Sequence, residues 1–291
     1  MSEISIKHRL EWYGVRFFYW TFRKLGRQKA SQFGGWLAQK VGPLLGVHKM
    51  ARANMKRALP ELDDAAIDRN LDMMWSNLGK NIGELAYIND IIADPTALEV
   101  VGQEYLDEQV KSGKGAFYAA GHFGPWELGA AISYFSEPHT VSIYRVANNP
   151  LVEEFFQSRR ENPNLAFVPK GVVGARAILR VLREKGKVVM MNDQKNNTGI
   201  SVPFFGRGAM TAPAVAEIAY KKDVPIYPMR LDRLGDGKYR FTVYPALDAP
   251  KSGDHKADVF AMLKLINETY EDWIRERPDH WFWVHNRWPS D

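Results

Sequence analysis

Cysteine is missing from this 291-residue chain. Its absence excludes disulfides, thiolate metal sites and a cysteine nucleophile, and it suits a reducing compartment. No Gly-x-Ser-x-Gly elbow is present, which argues against a Ser-His-Asp hydrolase. No His-Glu-x-x-His run occurs, and His139, His255, His280 and His285 lack metal-ligand spacing, so no metal site is expected. The turn-like stretch Gly206-Arg207-Gly208-Ala209-Met210-Thr211 lacks the lysine of a P-loop; it reads as a plain turn with Thr211 capping the next helix. The N-terminus shows neither the apolar core nor the small-residue cleavage site of a signal peptide. Nowhere does an uncharged apolar run reach the ~20 residues of a spanning helix. Internal repeats, low-complexity tracts and clear linkers are also missing.

Charge is present but unevenly placed. Residues 1–60 hold 12 Lys and Arg against Glu3 and Glu11, a local net of +10 in a chain whose total is +5. A basic arm on a mildly acidic body points to an anionic partner: a phospholipid surface, an acidic protein or nucleic acid. Within that arm, Leu10 to Leu25 is rich in aromatics and broken by Arg16, Arg23 and Lys24. At about 100° per residue, Arg16, Arg23, Lys24 and Arg27 fall in one arc, with Tyr13 and Trp20 among them. This mix predicts a helix lying in the membrane interface.

Residues 31–58 continue helical and basic. A helix capped by Asp63 or Asp64 then carries Ile67, Leu71, Met74, Trp75 and Leu78 on one buried face. From about residue 97 short apolar runs alternate with helical patterns: Leu98–Val101, Ala116–Ala120, Val141–Tyr144, Ala166–Val168 and Val188–Met191, then strands at 225–232 and 239–244. The alternation predicts an α/β fold, with helices on the faces of a central, mostly parallel or mixed sheet. Residues 199–208 read as a loop, and 256–276 as a long helix. The expected organisation is a helical, basic, membrane-associating region over 1–95 and an α/β domain over 96–291, packed as one unit.

The sharpest chemical feature follows the strand Ala116–Ala120. His122 and Glu127 are five residues apart, roughly 140° around a continuous helix, and would not share a face. The intervening Gly124-Pro125 removes that objection. Proline favours the first helical position, so Pro125 starts a helix with Glu127 in its first turn, leaving His122 in the loop before it. A loop histidine with a helix-start carboxylate makes a base and orienter. Arg145, after the third strand, suits a phosphate clamp, and Arg159 and Arg160 follow on the next helix. Asn192-Asp193-Gln194-Lys195 is a polar cluster directly after another apolar strand, again at a sheet's carboxyl edge. The tail Trp281–Trp288 mixes aromatics with Arg287. It suits base stacking, a lipid headgroup layer or the closing strand of the core, with Phe282 and Val284 expected inside and Arg287 at the surface.

Taken together, Gly-His-Phe-Gly-Pro-Trp-Glu at 121–127 resembles the His-x4-Glu signature of the bacterial lipid A biosynthesis acyltransferase family. Asn77-Leu78-Gly79 with Glu84, Tyr144-Arg145 with Asn149-Pro150, Asn192-Asp193-Gln194, Val202–Gly206 and Ala209–Thr211 are similar to further family segments, as is the tail at 281–287. The resemblance spans roughly residues 50–290. It implies a glycerol-phosphate-acyltransferase-like α/β fold. It further implies transfer of a fatty acyl chain from acyl carrier protein to a hydroxyl of a lipid A precursor, at the cytoplasmic face of the inner membrane. His122 becomes the general base and Glu127 its partner. Arg145, Arg159, Asp193, Gln194, Gly124 and Trp126 become candidate substrate contacts. The resemblance implies neither metal nor cofactor, and nucleic acid is not expected as a partner. Two departures stand out. Relatives usually open with an uninterrupted spanning helix, so peripheral attachment is expected here, and the Phe-Gly-Pro-Trp interior differs from the commonest pattern. Mycobacterial mannoside acyltransferases share the His-x4-Glu form, which keeps another glycolipid open as acceptor.

Overall fold

The protein was examined as a computed structural model that describes residues 4–135, 137, 139–158, 164–235, 237–248 and 250–288. Among these, five helices come first: α1 (Ile6–Leu25), α2 (Arg27–Val41), α3 (Gly46–Ala58), α4 (Asp64–Glu84) and α5 (Ile88–Ile92). The alternating part runs β1 (Leu98–Val101), α6 (Gln103–Ser112), β2 (Ala116–Ala120), α7 (Ile132–Phe135), β3 (Thr140–Tyr144), α8 (Pro150–Gln157), β4 (Leu165–Pro169), α9 (Val172–Arg183) and β5 (Lys187–Met191). It continues with β6 (Ile200–Phe204), β7 (Arg207–Thr211), α10 (Ala214–Lys222), β8 (Ile226–Gly235), β9 (Lys238–Val243) and α11 (His255–Glu276).

Seven strands form one mixed sheet in the order β1-β9-β8-β2-β5-β3-β4. The β8–β9 pair is antiparallel and the other pairings are parallel. The carboxyl ends of β2, β5, β3 and β4 therefore share one edge. β2 is buried along its whole length, as a central strand with both faces covered must be. Its period-two alternation sends Phe117 and Ala119 into one core layer and Ala116, Tyr118 and Ala120 into the other. The first layer meets α9, α10, α11 and α4; the second meets α1, α5 and α6.

The N-terminal helices belong to this packing. Asp63 caps α4 by accepting from the Ala66 amide, and Ile67, Leu71, Met74 and Trp75 are buried as their spacing requires. Helices α2 and α4 touch backbone to backbone, where a Cβ on Gly79 would lie 2.0 Å from the Gly34 carbonyl. Side chains tie α1 down: Arg23 pairs with Asp90 and the Ala86 carbonyl, and Arg27 with Asp94. Two of the four cations expected on the outward basic arc thus engage the body. The outward surface of α1 is instead apolar, with Leu10, Tyr13, Phe17 and Trp20 exposed at three-and-four spacing. No described helix is long and apolar enough to cross a membrane.

One expected loop is a hairpin. β6 and β7 pair antiparallel across Phe205-Gly206, both at positive φ (51° and 69°). That is the backbone of a type I′ turn, written here without the usual Asn-Gly. Thr211 accordingly lies in β7, and the cap position of α10 falls to Pro213.

Candidate active site

β2 ends at Ala120 and the chain turns sharply over the sheet edge. Gly124 makes the turn at φ +53°, and a Cβ there would lie 2.2 Å from the Leu231 carbonyl. The next segment, Trp126–Ala131, is a 3₁₀ helix that runs into α7, not the α-helix expected from Pro125 onward. Pro125 occupies the cap position, and Glu127 still sits in the first turn. His122 projects from the loop between strand and helix.

The ring of His122 is held from across the edge. Its Nδ1 donates to Asp193 Oδ1 at 2.9 Å, and its backbone N–H donates to Asp193 Oδ2 at 2.7 Å. Trp281 Nε1 also donates to Asp193 Oδ2, at 2.9 Å. The pairing of β2 with β5 explains this: both strands end at the same edge, so the residues after Ala120 and after Met191 become neighbours. Asp193 is 1% exposed, so it cannot meet a substrate directly. This corrects its expected place among the substrate contacts and gives it the ring-orienting part expected of Glu127. Glu127 acts on His122 through its negative charge.

The electrostatics are those of a coupled pair. Burial disfavours the charged imidazole, but the Asp193 carboxylate, with a smaller contribution from Glu127, outweighs it and raises the His122 pKa above the ordinary value. Burial likewise opposes the charged form of Asp193, and its contacts with His122 more than offset this, holding it well below the usual carboxylate range. An ionised carboxylate can only accept, so Nδ1 carries the proton and Nε2 presents a lone pair. Gln194 Nε2 donates to that lone pair at 3.3 Å. Gln194 is exposed, so this amide marks a position that an incoming hydroxyl can take.

The tail supplies the wall behind the base. Phe282 and Trp126 flank the His122 ring, at 6.1 and 5.5 Å between centroids. His285 Nε2 donates to the Asp193 carbonyl at 3.3 Å, and burial lowers its pKa to about 4, so it is neutral near pH 7. Expectations for this tail are reversed. Trp281, Trp283 and Trp288 are buried, whereas Phe282 and Val284 are only half-buried. Arg287, expected at the surface, is fully buried and donates to the Met210 carbonyl, Thr211 Oγ1 and Asn267 Oδ1. No strand forms here; one bridge joins Trp281 to Phe123.

The remaining expected residues separate. Arg145 is exposed beyond the end of β3, on the same sheet edge, and donates to Asn148 Oδ1 at 3.0 Å. Gly124 is buried and shapes the turn. Arg159 lies outside the described residues. Beside Glu127 opens a cavity of about 460 Å³, lined by Leu85, Ile88, Phe156, Leu165 and Phe167 and rimmed by Arg23 and Asp90. No group of three or more His, Asp or Glu among the described residues is placed to hold a metal ion. Sequence reasoning had no means of assigning Trp281 to Asp193; the one available signal was a polar tripeptide after a buried strand.

Comparison with known proteins agrees with this arrangement. A family model described as bacterial lipid A biosynthesis acyltransferase matches residues 2–290. A phosphatidylinositol mannoside acyltransferase of Mycolicibacterium smegmatis is 26% identical over 200 residues, covering 67% of this chain and 63% of that protein. Among solved structures, the 1-acyl-sn-glycerophosphate acyltransferase of Thermotoga maritima aligns with a TM-score of 0.39 at 12% identity, over 84% of this chain and 99% of that one.

Proposed function

We propose acyl transfer to a glycolipid hydroxyl as the activity of this chain, which belongs to the bacterial lipid A biosynthesis acyltransferase family. The observation that carries the reading is the His122–Asp193 pair at the sheet edge, with Nε2 turned outward. In the proposed reaction the acceptor hydroxyl displaces the Gln194 amide and gives its proton to His122 Nε2 as its oxygen attacks the thioester carbonyl. A new C–O bond forms, the C–S bond breaks, and the imidazolium returns the proton to the leaving thiolate. Asp193 keeps the ring in the required tautomer and stabilises the imidazolium, aided by the Glu127 charge. A positioned base of this kind contributes ~10²–10⁴-fold.

The apolar cavity beside Glu127 suits the fatty chain, since its volume falls in the ordinary range for ligand pockets, roughly 300–1,000 Å³. Acyl carrier protein is the proposed donor and a lipid A precursor the proposed acceptor, with Arg145 and Arg159 available to its phosphates. The exposed apolar stripe of α1, edged by Arg16 and Lys24, supports seating on the cytoplasmic face of the inner membrane. A second acceptor class, a mannosylated phospholipid, is favoured by the mycobacterial relative.

The test is acyl transfer by the purified protein. Acyl-carrier-protein and acyl-coenzyme A donors are each offered with a lipid A precursor or a phosphatidylinositol mannoside, and products are read by mass spectrometry. One acyl chain gained by the lipid A precursor supports the reading. Thioester consumption without any acylated lipid would sink it.

A further inference from the structure

The three-and-four spacing of α4 brings Asn77, Asn81 and Glu84 to one buried face. Arg233 of β8 lies across all three. Its Nε donates to Asn77 Oδ1 at 3.1 Å, its Nη2 to Asn81 Oδ1 at 2.8 Å, and its Nη1 to Glu84 Oε1. Glu84 Oε1 also accepts from Tyr239 Oη and from Ser31 Oγ of α2. None of these groups takes part in the proton transfer, yet desolvating a glutamate and an arginine is costly. One end of the network does reach the site.

Asn81 Nδ2 donates to the Gly124 carbonyl at 2.8 Å. The direction is fixed by chemistry: a guanidinium only donates, so Asn81 must turn its oxygen to Arg233 and its NH₂ to Gly124. On its other side the Gly124 N–H donates to the His280 carbonyl at 2.9 Å, which also accepts from Asn77 Nδ2 at 3.4 Å. Both peptide groups of Gly124 are thus held, directly or through His280, by the α4 face. Gly124 lies between His122 and Glu127, so its orientation sets how far apart and at what angle the two side chains leave the loop.

We propose that Asn81, oriented by Arg233, is a positioning residue for the loop that carries His122 and Glu127. The activity arm of its test rests on the acyl-transfer reading; the exchange arm does not. Asn81→Asp keeps the size and the Arg233 contact but offers no donor to Gly124 and sets oxygen against oxygen. In the full chain, amide hydrogen exchange over 121–128 is expected to quicken about tenfold. The thermal midpoint stays near that of the parent. Turnover falls at least about tenfold with donor KM little changed, as for an interaction that acts through geometry. The pH midpoint of kcat stays in place, because the His122–Asp193 contact is untouched. Asn81→Ser, whose hydroxyl can donate, recovers part of both losses relative to Asn81→Ala, and this pair serves if the aspartate variant does not fold. Unchanged exchange in the loop would overturn the proposal. So would a loss of turnover that tracks only a shifted His122 midpoint or a lowered thermal midpoint. If the parent protein acylates nothing, the acyl-transfer reading falls and the exchange comparison still decides this one.

Discussion

His122 Nδ1 and Asp193 Oδ1 stand 2.9 Å apart although 71 residues separate them in sequence. The pairing of β2 with β5 brings them together, and it leaves His122 Nε2 as the lone pair that faces the open edge. From this contact comes the expectation that Asp193, buried and remote from substrate, matters to turnover as much as the base itself. Asp193→Asn preserves shape and removes the charge. It is expected to lower kcat by ~10²–10⁴-fold with donor KM little changed. Steady-state kinetics on both donors checks this.

The same contact fixes the sign of the pH response. Transfer needs neutral His122, so the rate should rise with pH through a midpoint above the ordinary 6.5. Asp193→Asn leaves the burial cost and removes the opposing charge, so the midpoint should fall, below 6.5. For stability, the raised His122 value adds a contribution that is complete below about pH 6.5 and lost as pH rises through the folded value. The depressed Asp193 value adds one that is present above about pH 3.8 and lost as pH falls through its folded value. A pH–rate profile and histidine NMR titration of both proteins read these shifts.

Gly124→Ala strains the catalytic turn. Its positive φ and the 2.2 Å approach of the Leu231 carbonyl leave no place for a methyl group. The expected cost is roughly 1–3 kcal/mol or more. Denaturant unfolding should show a lowered midpoint with an unchanged slope.

On α1, Phe17→Glu with Trp20→Glu should weaken binding to anionic vesicles and leave the thermal midpoint in place, because both side chains face outward. Vesicle flotation alongside thermal melting separates the two effects.

Much of the scaffold was legible in the sequence. Leu98–Val101 and Ala116–Ala120 form strands at the positions their apolar runs mark, and α4 buries the face its spacing predicts. What stayed hidden depended on strand order. Nothing local says that β5 lies beside β2, so Asp193 was visible only as a polar residue at some sheet edge. Phe205 at positive φ disguised the β6–β7 hairpin, because the turn lacks its usual residues. Arg287 misled for another reason. Its burial is sustained by a carbonyl, a hydroxyl and an amide drawn from β7 and α11, with its guanidinium 5.1 Å over the Phe204 ring, and none of these partners is near it in sequence.

The central claim is that His122 Nε2 takes the proton of a lipid hydroxyl. The most direct measurement is the mass of the glycolipid after incubation of the parent protein and His122→Ala with an acyl-carrier-protein thioester and a lipid A precursor. The account predicts a gain of one acyl chain with the parent and none above background with the variant, both proteins melting alike. Acylation by His122→Ala at a rate near the parent's would contradict it.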